Sequence, residues 1–186
     1  MTEPAARDQS PRESPSRDPR FRAIFEAECP YVWSSLRRLG VAPADLEDVC
    51  QEVLVRVYRN LDAYDPARPL RPWIFGILHR VASEWRRHRR RHPEFPTDAL
   101  DPADARPDAE HAASRAEARA LVERCLAAVQ VDRRAVMILH DLDGVAMPEI
   151  ARSLDLPLNT AYSRLRIARD EFRAAHETIT RQGARP

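Results

Sequence analysis

Lysine is missing from this sequence of 186 residues, and glycine and cysteine are scarce. All 30 basic residues are therefore arginine, whose planar guanidinium suits phosphates and base edges. The four glycines form neither a GxGxxG nor a GxxxxGKS/T pattern, which excludes the usual glycine-rich phosphate loops. The three cysteines lie far apart, at positions 29, 50 and 125, so the sequence contains no CxxC metal or redox pair.

Long apolar runs are missing as well. No stretch approaches the roughly 18 to 20 apolar residues needed to cross a bilayer, and the first 20 residues lack the apolar centre of a signal peptide. We therefore expect no membrane insertion and a cytoplasmic location, where the cysteines stay reduced. The six histidines form no HExxH motif, so we expect neither a metal nor another cofactor, and no enzymatic activity.

The charge is nearly balanced in total, at a net +1, but it is unevenly distributed. Residues 1–92 contain 17 Arg and 13 acids, a net +4, and residues 119–186 contain 11 Arg and 9 acids, a net +2. Residues 93–118 between them contain 2 Arg and 7 acids, a net −5. Two mildly basic blocks on either side of an acidic connector favour a directed nucleic-acid contact over general coating of DNA.

The predicted fold class is all-α, in two small helical domains, because apolar residues recur at helical spacing and never alternate for long. We expect a disordered tail over 1–19, a first domain over 20–92, a flexible acidic linker over 93–115, a second domain over 116–177 and a tail over 178–186. We predict three helices in the first domain. The first runs from residue 21 to 39 and is interrupted by Pro30, the second spans 44–60 and the third spans 73–91. In the second domain they span 117–130, 132–142, 148–154 and 159–176.

The second domain ends in a helix-turn-helix pattern. A short helix over 148–154 precedes a tight turn over 155–157, and the helix from residue 159 follows, with Ala151 small enough for close approach. The exposed start of the second helix carries the candidate DNA contacts Asn159, Thr160, Tyr162, Ser163, Arg164 and Arg166. The alternative is an ordinary helical hairpin with a solvated arginine face.

The helix over 44–60 combines a buried apolar stripe with an acidic outer face. Asp45, Asp48, Gln51 and Glu52 share that face, and no base between residues 44 and 55 neutralises it. Such a face either docks onto a basic partner or is a solvated helix start that the helix dipole favours. The pattern alone favours the solvated start.

The helix over 73–91 carries a basic face opposite its apolar stripe. His79, Ser83, Arg86, Arg87 and Arg90 lie on it, and the aromatic residues Tyr64, Trp73 and Phe75 lie near its start. A basic helix beside aromatic residues can hold phosphates and unstacked bases. The alternative is an arginine-rich helix end that satisfies the helix dipole, but the arginine density exceeds that need and favours a nucleic-acid role.

These motifs together resemble the extracytoplasmic-function (ECF) group of bacterial RNA polymerase sigma factors. Residues 45–58 are similar to sigma region 2, residues 64–77 to that group's loop and DNA-binding helix, and residues 133–169 to region 4. The resemblance covers about residues 20–91 and 116–175, in the order and spacing of the family.

The resemblance implies a dissociable initiation subunit that binds core RNA polymerase and directs it to promoter DNA. Asp45, Asp48, Gln51 and Glu52 would bind the clamp helices of the largest polymerase subunit. The loop 62–72 and the helix 73–91 would bind the −10 element and capture a base from it. The residues that would make these contacts are Tyr64, Arg68, Arg71, His79, Arg80, Ser83, Arg86, Arg87 and Arg90. The −35 element would be bound as duplex by Asn159, Thr160, Tyr162, Ser163, Arg164 and Arg166. An anti-sigma factor is a further partner that the resemblance suggests.

The sequence departs from the family near base-contacting positions. Arg80 stands where many members carry Asn, Tyr162 where Lys is common and Asn159 where Gly is common. The promoter sequence therefore does not carry over from relatives. The alternative function is a stand-alone helix-turn-helix regulator that binds an operator as a symmetric dimer, although the acidic helix and the linker have no role in it.

Overall fold

A computed structural model describes residues 18–91 and 109–183, and within these two ranges every regular element is helical. The prediction of an all-α chain is therefore confirmed. The N-terminal half contains α1 (Pro19–Arg38), α2 (Leu46–Arg59) and α3 (Leu70–Arg91). The C-terminal half contains α4 (Ala109–Ala128), α5 (Val131–Met137), α6 (Met147–Ser153) and α7 (Leu158–Gly183).

Helix α1 begins at a side-chain cap and runs through a proline. The carboxylate of Asp18 accepts a hydrogen bond of 2.9 Å from the backbone N–H of Arg20, which satisfies one free donor of the first turn. Pro30 lies inside the helix without ending it, so the predicted interruption is wrong. The buried Val32 and Leu36 follow the proline, and their packing offsets the hydrogen bond that it removes.

Gly40 ends the segment as predicted, with a φ of +86° that an L side chain rarely adopts. Its N–H donates to the carbonyl of Arg37 at 2.8 Å. A 3₁₀ turn over Pro43–Asp45 then leads into α2, so the first two residues of the predicted helix belong to that turn. The predicted apolar stripe of α2 is buried, with Val53 and Val57 fully enclosed.

Helix α3 begins at Leu70, a turn earlier than predicted, and it is buried on every side over part of its length. Ile74, Phe75, Gly76, Ile77 and Leu78 are five consecutive buried residues, which is more than one helical turn. The sequence indicates a single apolar stripe on this helix, so the buried surface of α3 is wider than predicted.

The C-terminal half differs from its prediction mainly in helix length. Residues 93–108 of the predicted linker and residues 1–17 of the predicted tail lie outside the described residues. Helix α4 already begins at Ala109, inside the predicted linker, and α7 continues to Gly183, beyond the predicted helix end at about residue 176. Helix α5 continues into a π-helical turn over Ile138–Leu142.

The helix-turn-helix pattern is present as α6, a turn and α7. Asp155 has a φ of +55°, a left-handed conformation that aspartate tolerates better than most residues. Leu156 N–H donates to the carbonyl of Ala151 at 2.8 Å and closes the turn. Ala151 and Ala161 are buried between the two helices, as their small side chains predict.

The two halves share one hydrophobic cluster, which runs from Phe21 in α1 to Ala168 in α7. The buried side chain of Arg134 in α5 lies within this packed region and donates to the carbonyls of Ala127, Val129 and Arg38. These carbonyls end α4 and α1, where a cation is favourable. Burial lowers the pKa of Arg134 to about 10, so the guanidinium remains charged at neutral pH.

In the two described ranges, no helix combines the length and the apolar character that crossing a membrane requires.

Two phenylalanines of contrasting exposure test this core. Replacement of the fully buried Phe75 by Ala should lower the free energy of unfolding by about 3–5 kcal/mol, because it removes apolar contacts and leaves a cavity. Phe25, which is 43% exposed, is the control. Phe25→Ala should change the free energy of unfolding by less than about 1 kcal/mol. Urea unfolding measures both values, and similar losses in the two variants would contradict the described packing.

Candidate polymerase and promoter interface

The acidic face of α2 points outward as predicted. Asp48, Gln51 and Glu52 are exposed, and Asp45 is half-buried in the turn that precedes the helix. A groove between α2 and α3 runs beside this face, with Asp48 and Glu52 on the α2 wall and Arg87, His88 and Arg91 on the α3 wall. Arg56 also lines the α2 wall and Glu84 the α3 wall, so both walls carry charges of both signs.

Arginines from outside the predicted acidic stretch partly neutralise that face. Asp45 forms an ion pair with Arg89 of α3. Glu52 lies 2.7 Å from Arg56, which also pairs with Glu84 of α3 at 2.7 Å. The expectation of an unneutralised acidic face is thus wrong for two of its members. Arg89 reaches Asp45 because α3 folds back against α2, whereas Arg56 lies one turn further along α2 from Glu52.

The loop between α2 and α3 is held by Tyr64. Its hydroxyl donates to the carbonyl of Arg68 at 2.6 Å, and its ring centre lies 4.8 Å from that of Trp73. The aromatic pair and the hydrogen bond fix the loop on the start of α3. Tyr64 therefore holds the loop in shape, in addition to being a candidate base contact.

The outer face of α3 is basic but only partly free. Arg80, Arg87 and Arg90 are exposed. Arg86 is half-buried and donates to the hydroxyl of Ser83 at 3.1 Å. At the start of the helix, Arg71 lies over the ring of Tyr31, 5.1 Å from its centre, and pairs with Glu28 at 2.9 Å.

Three residues from the predicted promoter-binding region are covered, which corrects the expectation of open contacts. His79 is 15% exposed, and its Nε2 faces Asp132 of α5 at 3.4 Å. Arg68 pairs with Glu149 of α6, with 2.5 Å between Nη2 and Oε1. Phe75, the third, is fully buried and cannot stack on a base in this arrangement. His79 and Arg68 are covered by acids of the C-terminal half, because that half packs against the N-terminal half.

The start of α7 is open, as the sequence predicts. Asn159, Tyr162, Ser163 and Arg166 are exposed, with 54% exposure for Tyr162, while Thr160 and Arg164 are half-buried. Ser163 donates to the carbonyl of Asn159 at 2.9 Å. A shallow depression beside this surface is lined by residues of α7 together with Asp132 and Arg133 of α5.

Sequence reasoning missed the acids that tie the two halves together. Asp143 accepts a hydrogen bond of 2.8 Å from the hydroxyl of Tyr31 and lies 3.8 Å from Arg38, and burial raises its pKa. Glu149, Asp132 and Glu123, which pairs with Arg37 at 3.1 Å, are others. No local pattern marks these residues, because their partners lie more than 50 positions away in the sequence.

Within the described residues, no group of three His, Cys, Asp or Glu side chains lies close enough together to hold a metal ion. The three cysteines are free thiols, as expected, and burial raises the pKa of Cys50 to about 12.

Two family models match the chain. Sigma-70 region 2 matches residues 24–92, and Sigma-70, region 4 matches residues 119–171. The chain is also 31% identical over 151 residues to the ECF RNA polymerase sigma factor SigL of Mycobacterium tuberculosis, an alignment that covers 80% of this chain and 84% of SigL.

Two solved structures share the fold. CnrH, in complex with the cytosolic domain of CnrY, has a TM-score of 0.61 and 25% identity, with 88% of this chain and 92% of that chain covered. RpoE from Bartonella quintana, in complex with the anti-sigma factor NepR, has a TM-score of 0.65 and 20% identity, with 85% and 97% covered.

The covered position of His79 predicts a pH effect. Burial lowers the pKa of His79 below 6.5, an effect that Arg86 and Arg164 reinforce and Asp132 opposes. As the pH falls through about 6.5, His79 is protonated in the unfolded chain before it is protonated in the folded chain. It therefore lowers the free energy of unfolding at acid pH and has no such effect above pH 6.5. The free energy of unfolding should therefore fall less steeply in His79→Gln than in the wild type between about pH 7 and about pH 5.

Arg80 is the control for this experiment, since it is an exposed neighbour of His79 on α3. Arg80→Gln should keep the pH slope of the wild type. An unchanged slope in His79→Gln would show that the histidine is not buried in solution.

Proposed function

The chain belongs to the ECF RNA polymerase sigma factors, and on that premise we propose which of its surfaces carry the function. A sigma factor is the dissociable initiation subunit that binds core RNA polymerase and directs it to promoters. Membership of this family favours the initiation subunit over a stand-alone regulator that binds an operator by itself. The observation that carries the proposal is the exposure of an acidic α2 face in one half and of a helix-turn-helix recognition surface in the other.

We assign core polymerase binding to the α2 face. Asp48 and Gln51 are exposed at its centre, and Glu52 and Asp45 flank them. Exposed carboxylates at helical spacing suit a basic helical partner, such as the clamp helices of the largest subunit. Arg56 and Arg89 hold the flanking acids in place, so the partner meets an ordered surface.

The −10 role falls to the loop before α3 and to the outer face of α3. Arg71, Arg80, Arg87 and Arg90 offer exposed guanidinium groups for the DNA backbone. Tyr64, fixed against Trp73, is the aromatic residue to which we assign the capture of a base displaced from the stack. Arg68, His79, Ser83 and Arg86 complete this set once they are uncovered.

The −35 role falls to the start of α7. Asn159, Tyr162, Ser163 and Arg166 form its exposed part, with Thr160 and Arg164 at its edge. A recognition helix of this kind enters the major groove of duplex DNA with its first turns. In this proposal residues 20–92 act as the region 2 unit and residues 116–177 as the region 4 unit.

The remaining parts of the proposal concern partners and location. RpoE from Bartonella quintana was solved with an anti-sigma factor, and we propose that a protein of this kind also binds the present chain. We place the protein in the cytoplasm with its polymerase. We assign it no catalytic activity and no cofactor, since binding to polymerase and DNA accounts for its exposed surfaces.

Charge reversal tests the core-binding face. The double variant Asp48→Arg, Glu52→Arg should bind core polymerase more than tenfold more weakly, because close interfacial charge pairs contribute at least about 1.5 kcal/mol each. The control Glu26→Arg, Glu177→Arg makes the same change of net charge on exposed residues of α1 and α7. Titration of labelled core polymerase measures the affinities, and equal affinities of the two double variants would refute the assignment.

Two arginines that share one partner test the −35 role. Arg166 and Arg173 lie on α7 and both pair with Asp170, at 3.6 Å and 3.2 Å. Arg166→Ala, like Arg164→Ala, should weaken promoter binding by about 1–3 kcal/mol and lower promoter-specific transcription accordingly, while core binding is unchanged. Arg173→Ala, which removes a guanidinium further from the start of the helix, should have no such effect. In vitro transcription with reconstituted holoenzyme measures this, and equal activity of all three variants would place the contacts elsewhere.

A further inference from the structure

Among the described residues, Tyr162 at the start of α7 is the most exposed large apolar side chain. It is 54% exposed, whereas the next two, Leu142 and Phe25, are 45% and 43% exposed. An aromatic ring that faces water is stabilised when a partner covers it. The position of Tyr162 is therefore one where binding, rather than folding, would bury the ring.

The ring lies on the outward side of the helix, between two polar residues. Ala161 and Leu165 are buried on the inward side. Asn159 precedes Tyr162 by three positions and Arg166 follows it by four, so the three exposed side chains are neighbours on the helix surface. They form one strip along the first turns, which is the part of a recognition helix that meets base edges.

The side chains beside this strip are recessed or engaged within the helix. Thr160 and Arg164 are half-buried. The hydroxyl of Ser163 donates to the carbonyl of Asn159 at 2.9 Å. Tyr162 therefore offers the apolar surface with which the start of α7 can contact DNA.

An aromatic ring recognises DNA differently from a guanidinium group. It carries no charge, so it releases no counterions from phosphates. The tyrosine hydroxyl can bond a phosphate oxygen, which carries no sequence information, but the ring finds an apolar partner only on a base. In the major groove that partner is the C5-methyl group of thymine. The chemistry of the ring thus selects thymine among the four bases.

We propose that Tyr162 is a specificity-determining residue of the −35 contact, and that its ring packs against the C5-methyl group of a thymine in the major groove. The inference rests on the −35 role assigned above to the start of α7, and it names the base that this position selects. Asn159 and Arg166 flank the ring and make polar contacts on either side of it.

The base preferences of the holoenzyme test the role of the ring. Holoenzyme reconstituted with the full chain selects duplexes from a library randomised over the promoter region, and sequencing of the bound duplexes gives the preference at each −35 position. The wild type and Tyr162→Phe should share a thymine preference at one position, and Tyr162→Ala should lose that preference and keep the others. A Tyr162→Ala variant that loses no thymine preference would overturn the inference. So would a Tyr162→Phe variant that loses the same one, because the hydroxyl and not the ring would then make the contact.

Uracil tests the methyl group directly, because it pairs as thymine does and lacks only the C5-methyl group. Uracil in place of that thymine should weaken DNA binding by the wild-type holoenzyme about fourfold, which is the effect of removing one buried methyl group. The same replacement should leave binding by the Tyr162→Ala holoenzyme unchanged. Uracil in place of a thymine in the spacer between the two elements is the matched control and should affect neither protein. Equal losses for the two proteins at the −35 thymine would refute the methyl contact.

Arg166→Ala separates this inference from the −35 role on which it rests. If Arg166→Ala lowers promoter affinity while Tyr162→Ala keeps every preference, the −35 role stands and the selection of thymine by Tyr162 is overturned. If neither variant changes affinity or preference, the −35 role fails and the inference fails with it. Urea unfolding checks that loss of the exposed ring leaves the fold of Tyr162→Ala intact.

Discussion

Helix α3 is enclosed on all sides between residues 74 and 78, and the arrangement of the whole molecule depends on that enclosure. Helices α1 and α2 cover one side of it and α6 covers another. A helix that is apolar all round is stable only when every face is packed. The N-terminal half alone leaves part of this helix uncovered, and the C-terminal half supplies the missing contact.

Local patterns in the sequence were sufficient for most of the helices, for the exposed centre of the α2 face and for the open start of α7. The stripe of α2 and the turn of the helix-turn-helix follow from spacing over a few residues, so both could be predicted. Tertiary packing decided the points that failed, because the helix continues through Pro30 where buried neighbours support it. The burial of His79 was also unpredictable, since the residue it faces, Asp132, lies more than 50 positions further on.

Separation along the sequence explains two of the three errors in the charged site. Asp45 pairs with Arg89 of α3, 44 positions away, whereas Glu52 pairs with Arg56 one turn later in its own helix. Arg68 was read as an open cation, yet Glu149 covers it. In a chain with 30 basic and 29 acidic residues, most charges can find a distant partner, so sequence spacing alone overestimates how many are free. Exposure in the folded structure decides which remain available.

Arg134 has a consequence for how the recognition helix is held. Among the described residues, three of its four hydrogen bonds go to carbonyls at the end of α4, and one goes to Arg38 in α1. Arg133 and Gln130, beside it, are tied to Glu171 of α7. The corner between α4 and α5 is therefore braced from within the C-terminal half, and this bracing reaches the recognition helix without depending on the single bond to α1.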